Sequence, residues 1–291
     1  MRGLLLVSML ILLAPLPAQT AGAEKLAYYS DYFSFVGSDA KGFAAFALDN
    51  NRGVDGDAYQ AEHFGVLYDQ RAGWISLKGT GAYKNRQGEL VNIPDSEAFS
   101  FAGTPANGLI IRSDENDLIL KVNPVDIRMR EESEDRSQSW GIAAGSLFWQ
   151  GREIHGRVIY EGLVQRHWNR LTRTYVGHWD NFQGFYLALE QGSPRGFINA
   201  TDWTAGLVGN RFQATDKALA FGFYRWPQRW KIEIKSTDGE GSNFGRLDLQ
   251  QISRNNISTW IIGRFAMSVV QGELVSQGQR IPVIGFAELI Q

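Results

Sequence analysis

Apolar runs separated by turn signals recur along nearly the whole chain. In the first half they cover residues 43–48, 64–67, 74–77, 109–111 and 118–122; in the second half, 185–189, 219–223, 230–234, 247–252, 259–270 and 282–290. Between them fall Asp55-Gly56, Arg71-Ala72-Gly73, Pro94-Asp95 and Pro105-Ala106-Asn107-Gly108. Strands starting roughly every ten residues, bounded by Gly, Pro, Asn and Asp, predict an all-β sandwich or barrel. One stretch, residues 126–139, carries charge on most of its positions. It reads as an exposed connector, either a short helix or a loop.

The pattern also repeats in its letters. Gly42-Phe43 followed by Ala47-Leu48-Asp49 is echoed by Gly184-Phe185 followed by Ala188-Leu189-Glu190. Gly151, Ile154 and Glu161 are echoed by Gly278, Ile281 and Glu288, each displaced by 127 residues. Two matches in the same order predict a tandem duplication of one β unit. The expected organisation is a signal peptide over residues 1–23, an N-terminal β domain over 24–162 and a C-terminal β domain over 163–291.

The leader reading rests on Arg2, the apolar residues 4–13 and the small residues Ala21-Gly22-Ala23. That apolar stretch is too short to span a bilayer, so cleavage and a periplasmic or secreted product are expected, with no later integral membrane segment. The 29 basic and 31 acidic residues form no concentrated positive face, which argues against nucleic acid as a partner. The absence of cysteine excludes disulfides, thiolate catalysis and thiolate zinc sites. Stability must therefore come from the core, for which 17 Phe, 10 Tyr and 9 Trp suffice.

The densest polar chemistry lies within residues 42–69. Two apolar runs flank Asp49, Asn50, Asn51, Arg52, Asp55 and Asp57, with Tyr59, Glu62 and His63 at the exit, and the segment reads as a turn-rich loop. Asn51, Asp55, Gly56 and Glu62 match positions one, five, six and twelve of a calcium loop, but Gly53 occupies position three and the flanks are strands. Asp and Asn capping tight turns explain the same residues, and no metal site is assigned. Strand alternation sets Glu62 on one face with Phe64, Val66 and Tyr68, where a carboxylate among apolar neighbours would hold its proton unusually well. His63 points to the other face. The four histidines His63, His155, His167 and His178 show no zinc-ligand spacing.

The entry Lys25-Leu-Ala-Tyr-Tyr-Ser-Asp-Tyr-Phe-Ser-Phe, leading to Gly42-Phe43, resembles the opening of a lipocalin-like family. That family comprises the AttH proteins, carotenoid 1,2-hydratases and related fungal Diels–Alderases. Thr174-Tyr-Val-Gly-His178-Trp179 followed by Phe185-Tyr-Leu-Ala-Leu189 is similar to the family's Tyr-x-Asp-His-x-Trp-Gly and Phe-x-x-x-Leu segments. It differs in having Gly177 for Asp and in placing Trp179 directly after the histidine. The resemblance implies two lipocalin-like halves with an apolar-lined cavity at or between them. It also implies a proton-transfer role for His178.

Candidate catalytic residues are thus Glu62 and His178. Candidate ligand contacts are Asn51, Asp55, Asp57, Tyr59, His63, Trp179 and Trp203, with Trp140, Trp149, Trp226 and Trp230 as further aromatic lining or as core. Glu161 and Glu288 recur in both halves, so an architectural role is expected for them. The leading expectation is an exported protein that binds a hydrophobic small molecule, without a cofactor. An enzyme of the hydratase, isomerase or cyclase kind, and a structural or carbohydrate-contacting β protein, are the alternatives. Substrate and oligomeric state are not legible.

Overall fold

In the computed structural model the described residues are 28–55, 58–83, 93, 95–134, 136–165, 173–180, 186–190, 195–200, 203–220, 224–236, 243–258, 264–276 and 278–290. The leader reading and Asp57 therefore lie outside the described residues. Side chains are described for fewer of these, and not for 166–212. The described chain is built of strands, with no α-helix; one 3₁₀ turn spans Asp114–Asn116. No helix among the described residues is long and apolar enough to cross a membrane.

The first ten strands form one antiparallel sheet. They are β1 (Tyr28–Asp39), β2 (Gly42–Asp55), β3 (Ala58–Asp69), β4 (Gly73–Tyr83), β5 (Ser100–Thr104), β6 (Gly108–Ser113), β7 (Leu118–Val122), β8 (Asp126–Glu132), β9 (Arg136–Trp149) and β10 (Arg152–Gln165). Their order is β4-β3-β2-β1-β10-β9-β7-β6-β5, with β8 paired to β9 beside that path. Leu77 of β4 and Leu109 and Ile111 of β6 share one core with Phe33, Phe35, Phe46, Leu48 and Val158. Strands near both ends of the order meet in that core, so the sheet curls over it.

The remaining strands are β11 (Arg173–Asp180), β12 (Tyr186–Glu190), β13 (Arg195–Ala200), β14 (Trp203–Thr215), β15 (Ala218–Ala220), β16 (Tyr224–Trp226), β17 (Arg229–Ser236), β18 (Asn243–Ser258), β19 (Arg264–Ser276) and β20 (Gln279–Ile290). All but the β15–β16 ribbon close into a barrel. Barrel and sheet share a second core. Tyr32, Ala45, Ala47, Phe64, Val66 and Leu163 pack there against Met267, Val269, Ile284 and Phe286. Trp74 Nε1 donates to Ser253 Oγ (2.7 Å) and Asn255 Nδ2 to Ser76 Oγ (2.7 Å) across the same junction. β2 shows why its sequence is nearly continuous in apolar residues. Ala44, Phe46 and Leu48 face the sheet's own interior, while Ala45 and Ala47 face the barrel, where small side chains allow close approach.

Two expectations change. Residues 126–139 hold neither a helix nor a loop connector but most of the β8–β9 hairpin, in which exposed charges alternate with half-buried Ile127 and Met129. The period of two was present beneath the charge density. The segment read as a turn-rich loop is also strand: β2 runs on to Asp55 and β3 starts at Ala58, leaving only residues 56 and 57 between them.

The internal echo reappears as register. Tyr32 of β1 lies between Asp49 of β2 and Glu161 of β10, and Tyr175 of β11 lies between Glu190 of β12 and Glu288 of β20. The matched glycines Gly151 and Gly278 both have positive φ, 68° and 80°, at the hairpins β9–β10 and β19–β20. Each half therefore pairs its first strand with its second and its last.

At the far end of the sheet, Arg152 clamps two hairpins. Its Nε and Nη2 reach Asp39 (2.9 Å each) and its Nη1 reaches Asp69 (2.5 Å). The Arg152 hydrogen bonds pull the Asp39 carboxyl down to about 2. Burial pushes Asp69 up, but Arg152 and the backbone N–H groups of Ala72 and Arg71 outweigh it and hold that carboxyl low. Carboxylates depressed in the folded state stabilise it above their unfolded pKa, and the effect is lost as pH falls through the folded value. Arg152→Gln is therefore expected to move the midpoint of acid unfolding to higher pH, read by tryptophan fluorescence. An unchanged midpoint would show the clamp to be without weight.

Candidate functional site

β1, β2, β3 and β10 run side by side, and their polar residues sort onto two faces. On the face toward the barrel, one row across the sheet reads Phe64, Asp49, Tyr32, Glu161 and Trp140. The next row reads Glu62, Asn51, Ser30, Leu163 and Gln138. All ten residues are buried. Tyr32, Phe64 and Leu163 belong to the core shared with the barrel, so the carboxylates among them are held out of water by that contact.

Asp49 is the centre of this face. Ser30 Oγ donates to its Oδ1 (2.8 Å), and the neighbouring Asn51 amide also favours its charged form. Burial raises its carboxyl to about 6 against those hydrogen bonds, and the charges of Glu62 and Asp31 add to the rise. A carboxyl titrating near neutrality inside an apolar contact is equipped to give and take protons. Glu161 accepts a close hydrogen bond from Gln138, whose own carbonyl accepts from Arg136.

On the opposite face, inside the curled sheet, the row between those two reads Gly79, His63, Asn50, Asp31 and Gly162. Tyr160 OH donates to Asp31 Oδ1 (2.6 Å), and Arg52 forms a close ion pair with Asp31 Oδ2. The Arg52 guanidinium lies 3.9 Å from the centre of the Tyr29 ring. Burial raises the Asp31 carboxyl despite Arg52 and Tyr160, and raises the Tyr29 and Tyr160 phenols, Tyr29 to about 12. His63 Nδ1 meets Ser96 Oγ at 2.8 Å, and burial lowers its imidazole to about 4.

Of the residues expected from sequence, Asn51 and Glu62 come together on the barrel-facing side. His63 lies on the other face, as alternation required. Asp55 ends β2 and Tyr59 lies opposite Val54 near the start of β3; their side chains are outside the described set. The same holds for the side chains of His178, Trp179 and Trp203. In the backbone, the ladders of β11 with both β12 and β20 shift register between Val176 and Trp179, so His178 sits in a bulge. Bulges recur beside active sites, where they re-aim a side chain. Trp140 joins the barrel-facing row and Trp149 the sheet interior. Trp226 and Trp230 stack edge to face at 5.6 Å, and Trp226 Nε1 donates to Ser268 Oγ (2.9 Å).

Sequence reasoning passed over Asp31 and Tyr160, and named Asp49 only as part of the dense polar segment. An acid in the middle of the aromatic strand 28–36 was the available signal for Asp31. Among the described residues no three His, Asp or Glu converge as a metal-binding group. A groove of about 920 Å³ at the barrel, lined by residues such as Thr215, Asp216, Arg229, Asp248 and Glu273, takes in Trp230 but none of the residues of the polar rows.

Comparison with solved structures places this architecture in the class of lipocalin-like AttH and hydratase folds. Kievitone hydratase from Nectria haematococca superposes with a TM-score of 0.61 at 10% identity, covering 90% of this chain and 88% of that one. A protein assigned as an AttH from Nitrosomonas europaea gives 0.63 at 9% identity, covering 91% and 92%. CghA, solved with Sch210972, gives 0.53 at 11% identity, covering 91% and 88%. No family model matches the sequence, and no curated protein matches it either. The likeness is one of fold.

Proposed function

We propose that the protein is an exported, cofactor-independent enzyme that transfers a proton to or from an apolar small molecule at the barrel-facing side of the sheet, with Asp49 as the acid. One observation carries the reading: a buried carboxyl, held by Ser30 and raised to about 6, lies among Tyr32, Phe64, Asn51 and Glu62 on a face closed by the barrel. The protonated acid delivers its proton to an alkene or polarised carbonyl. In a hydration, water then adds to the second carbon and returns a proton to the carboxylate. In an isomerisation, the returning proton comes from another carbon. The surrounding aromatic and aliphatic side chains keep bulk water from the cationic stage. The fold shared with a protein named as a hydratase supports this class by analogy only.

The test begins with native mass spectrometry and organic extraction of the purified protein, to identify an apolar molecule that accompanies it. That molecule, and apolar alkenes and enones related to it, are then incubated with the protein in D₂O. Deuterium at carbon is expected with the native chain. Retention of the molecule without deuterium incorporation would leave a binding protein, and no apolar companion or substrate would remove both readings.

A further inference from the structure

The groove of about 920 Å³ on the barrel has room that the buried polar rows lack, and its volume falls within the range of small-molecule sites. Strand register builds it. On one side a row reads Gln213, Lys231, Asp248, Glu273 and Pro282, one residue each from β14, β17, β18, β19 and β20. Two residues along, a second row reads Thr215, Arg229, Gln250, Gln271 and Ile284. In the row between them Trp230, Leu249 and Val283 are buried, so their side chains point into the barrel and leave backbone as the floor between two rails. Gly272 belongs to that middle row. A Cβ there would stand 1.9 Å from the Asp248 carbonyl oxygen, so glycine is what lets β18 and β19 close up beneath the rails. A strand spacing of about 4.8 Å and a rise of about 3.4 Å per residue give a track about 19 Å long and about 7 Å wide.

The rails are polar and their charges are matched. Arg229 pairs with Asp216 at the β14 end (3.2 Å), Arg246 with Asp248 (2.8 Å) and Arg280 with Glu273 (2.8 Å). Gln213, Lys231, Gln250 and Gln271 are exposed beside these pairs, so donors line both sides of the track and the amides add acceptors. Matched charge gives no footprint for nucleic acid. Pro282 and Ile284 are the apolar members of the rails, too little to hold a lipid. A peptide strand finds no edge to extend, because the barrel is closed and the main chain of the track is spent in its ladders.

We propose that this groove binds a linear, uncharged oligosaccharide laid across the strands. Hydroxyls on one edge of the glycan meet Gln213 and Lys231, and those on the other edge meet Gln250 and Gln271. The paired carboxylates of Asp248 and Glu273 keep lone pairs to accept from further hydroxyls. The C–H faces of the sugar rings rest on the floor between the rails. One strand spacing is close to the length of one pyranose ring in an extended glycan, so successive rings meet successive strands and the track takes about four.

The test titrates the purified protein with cellotetraose, xylotetraose and mannotetraose, by calorimetry and saturation-transfer NMR. Saturable binding of at least one is expected, about tenfold or more tighter than its own disaccharide, which leaves half of the track empty. The double variant Gln250→Ala with Gln271→Ala removes two exposed amides and no ladder hydrogen bond, so it is expected to fold as the native chain does. It is expected to weaken the tetrasaccharide about tenfold or more, through the hydrogen bonds lost from one rail. The groove shares no residue with the barrel-facing rows of the sheet, so failure here leaves the proton-transfer reading standing, and the reverse. Absence of saturable binding with all three tetrasaccharides, equal affinity for disaccharide and tetrasaccharide, or undiminished binding in the double variant would overturn the proposal and leave a solvated barrel face. Binding of tetra-alanine in place of the glycans would overturn it in favour of a peptide.

Discussion

Replacement of Arg52 by methionine is expected to destabilise the fold by about 3–5 kcal/mol, the usual result of removing one partner from a buried ion pair. The side chains of Arg52 and Asp31 are 0% and 3% exposed, so the carboxylate left behind has no water to turn to. Tyr160 alone donates to one of its oxygens, and Tyr29 loses the cation stacked on its ring. The loss corresponds to a fall in Tm on the order of 10 °C for a chain of this size. Urea unfolding is the direct measurement. The double variant Arg52→Met with Asp31→Leu removes both charges together, and is expected to recover more than half of the loss because no buried charge remains. Equal stability of Arg52→Met and the native protein would show that Asp31 is neutral in the fold and the pair without ionic character.

That pair shows where sequence reading stops. The strands were legible because their apolar runs and turn signals follow period and spacing, and the tandem echo located Asp49, Glu161 and Glu288 at positions that share one register around Tyr32 and Tyr175. Local turn chemistry misled where burial overrides it. Asn50, Asn51, Arg52 and Gly53 have the composition of a loop but occupy a strand, because both faces of β2 are covered and their side chains find a place in polar rows. In β8 dense charge concealed the alternation of Ile127 and Met129. The partners of Asp31 were beyond reach for a different reason. Tyr160 is 129 residues away, and only the β1–β10 pairing brings it alongside. The repeated position places Asp49 in the sheet, but its own burial and neighbours decide its protonation.

Asp49→Asn tests that last point twice. Asparagine keeps the shape and the acceptor oxygen for Ser30 but cannot hand over a proton. Turnover of the deuterium-incorporating substrate is expected to fall by about 10²–10⁴, the usual contribution of a general acid. Stability moves in the opposite sense at high pH. The native carboxyl titrates near 6, against 3.8 unexposed to the fold's influence. A carboxyl raised by folding favours the folded state most fully below the unfolded pKa, and that contribution is lost as pH rises through the folded one. For Asp49 the loss between about pH 4 and pH 7 is on the order of 3 kcal/mol, from a shift of about two units at 1.36 kcal/mol each. The asparagine variant lacks this term, so its stability relative to the native chain is expected to climb across that range. Asp39, Asp69 and His63 contribute equally to both proteins, and the difference between the two curves reports Asp49 together with its charge coupling to Asp31 and Glu62. A variant that loses turnover while gaining stability above pH 6 would mark Asp49 as a residue kept for chemistry at the expense of the fold. A variant with native turnover and a parallel stability curve would move the acid elsewhere on the barrel-facing rows, to Glu62 or Glu161.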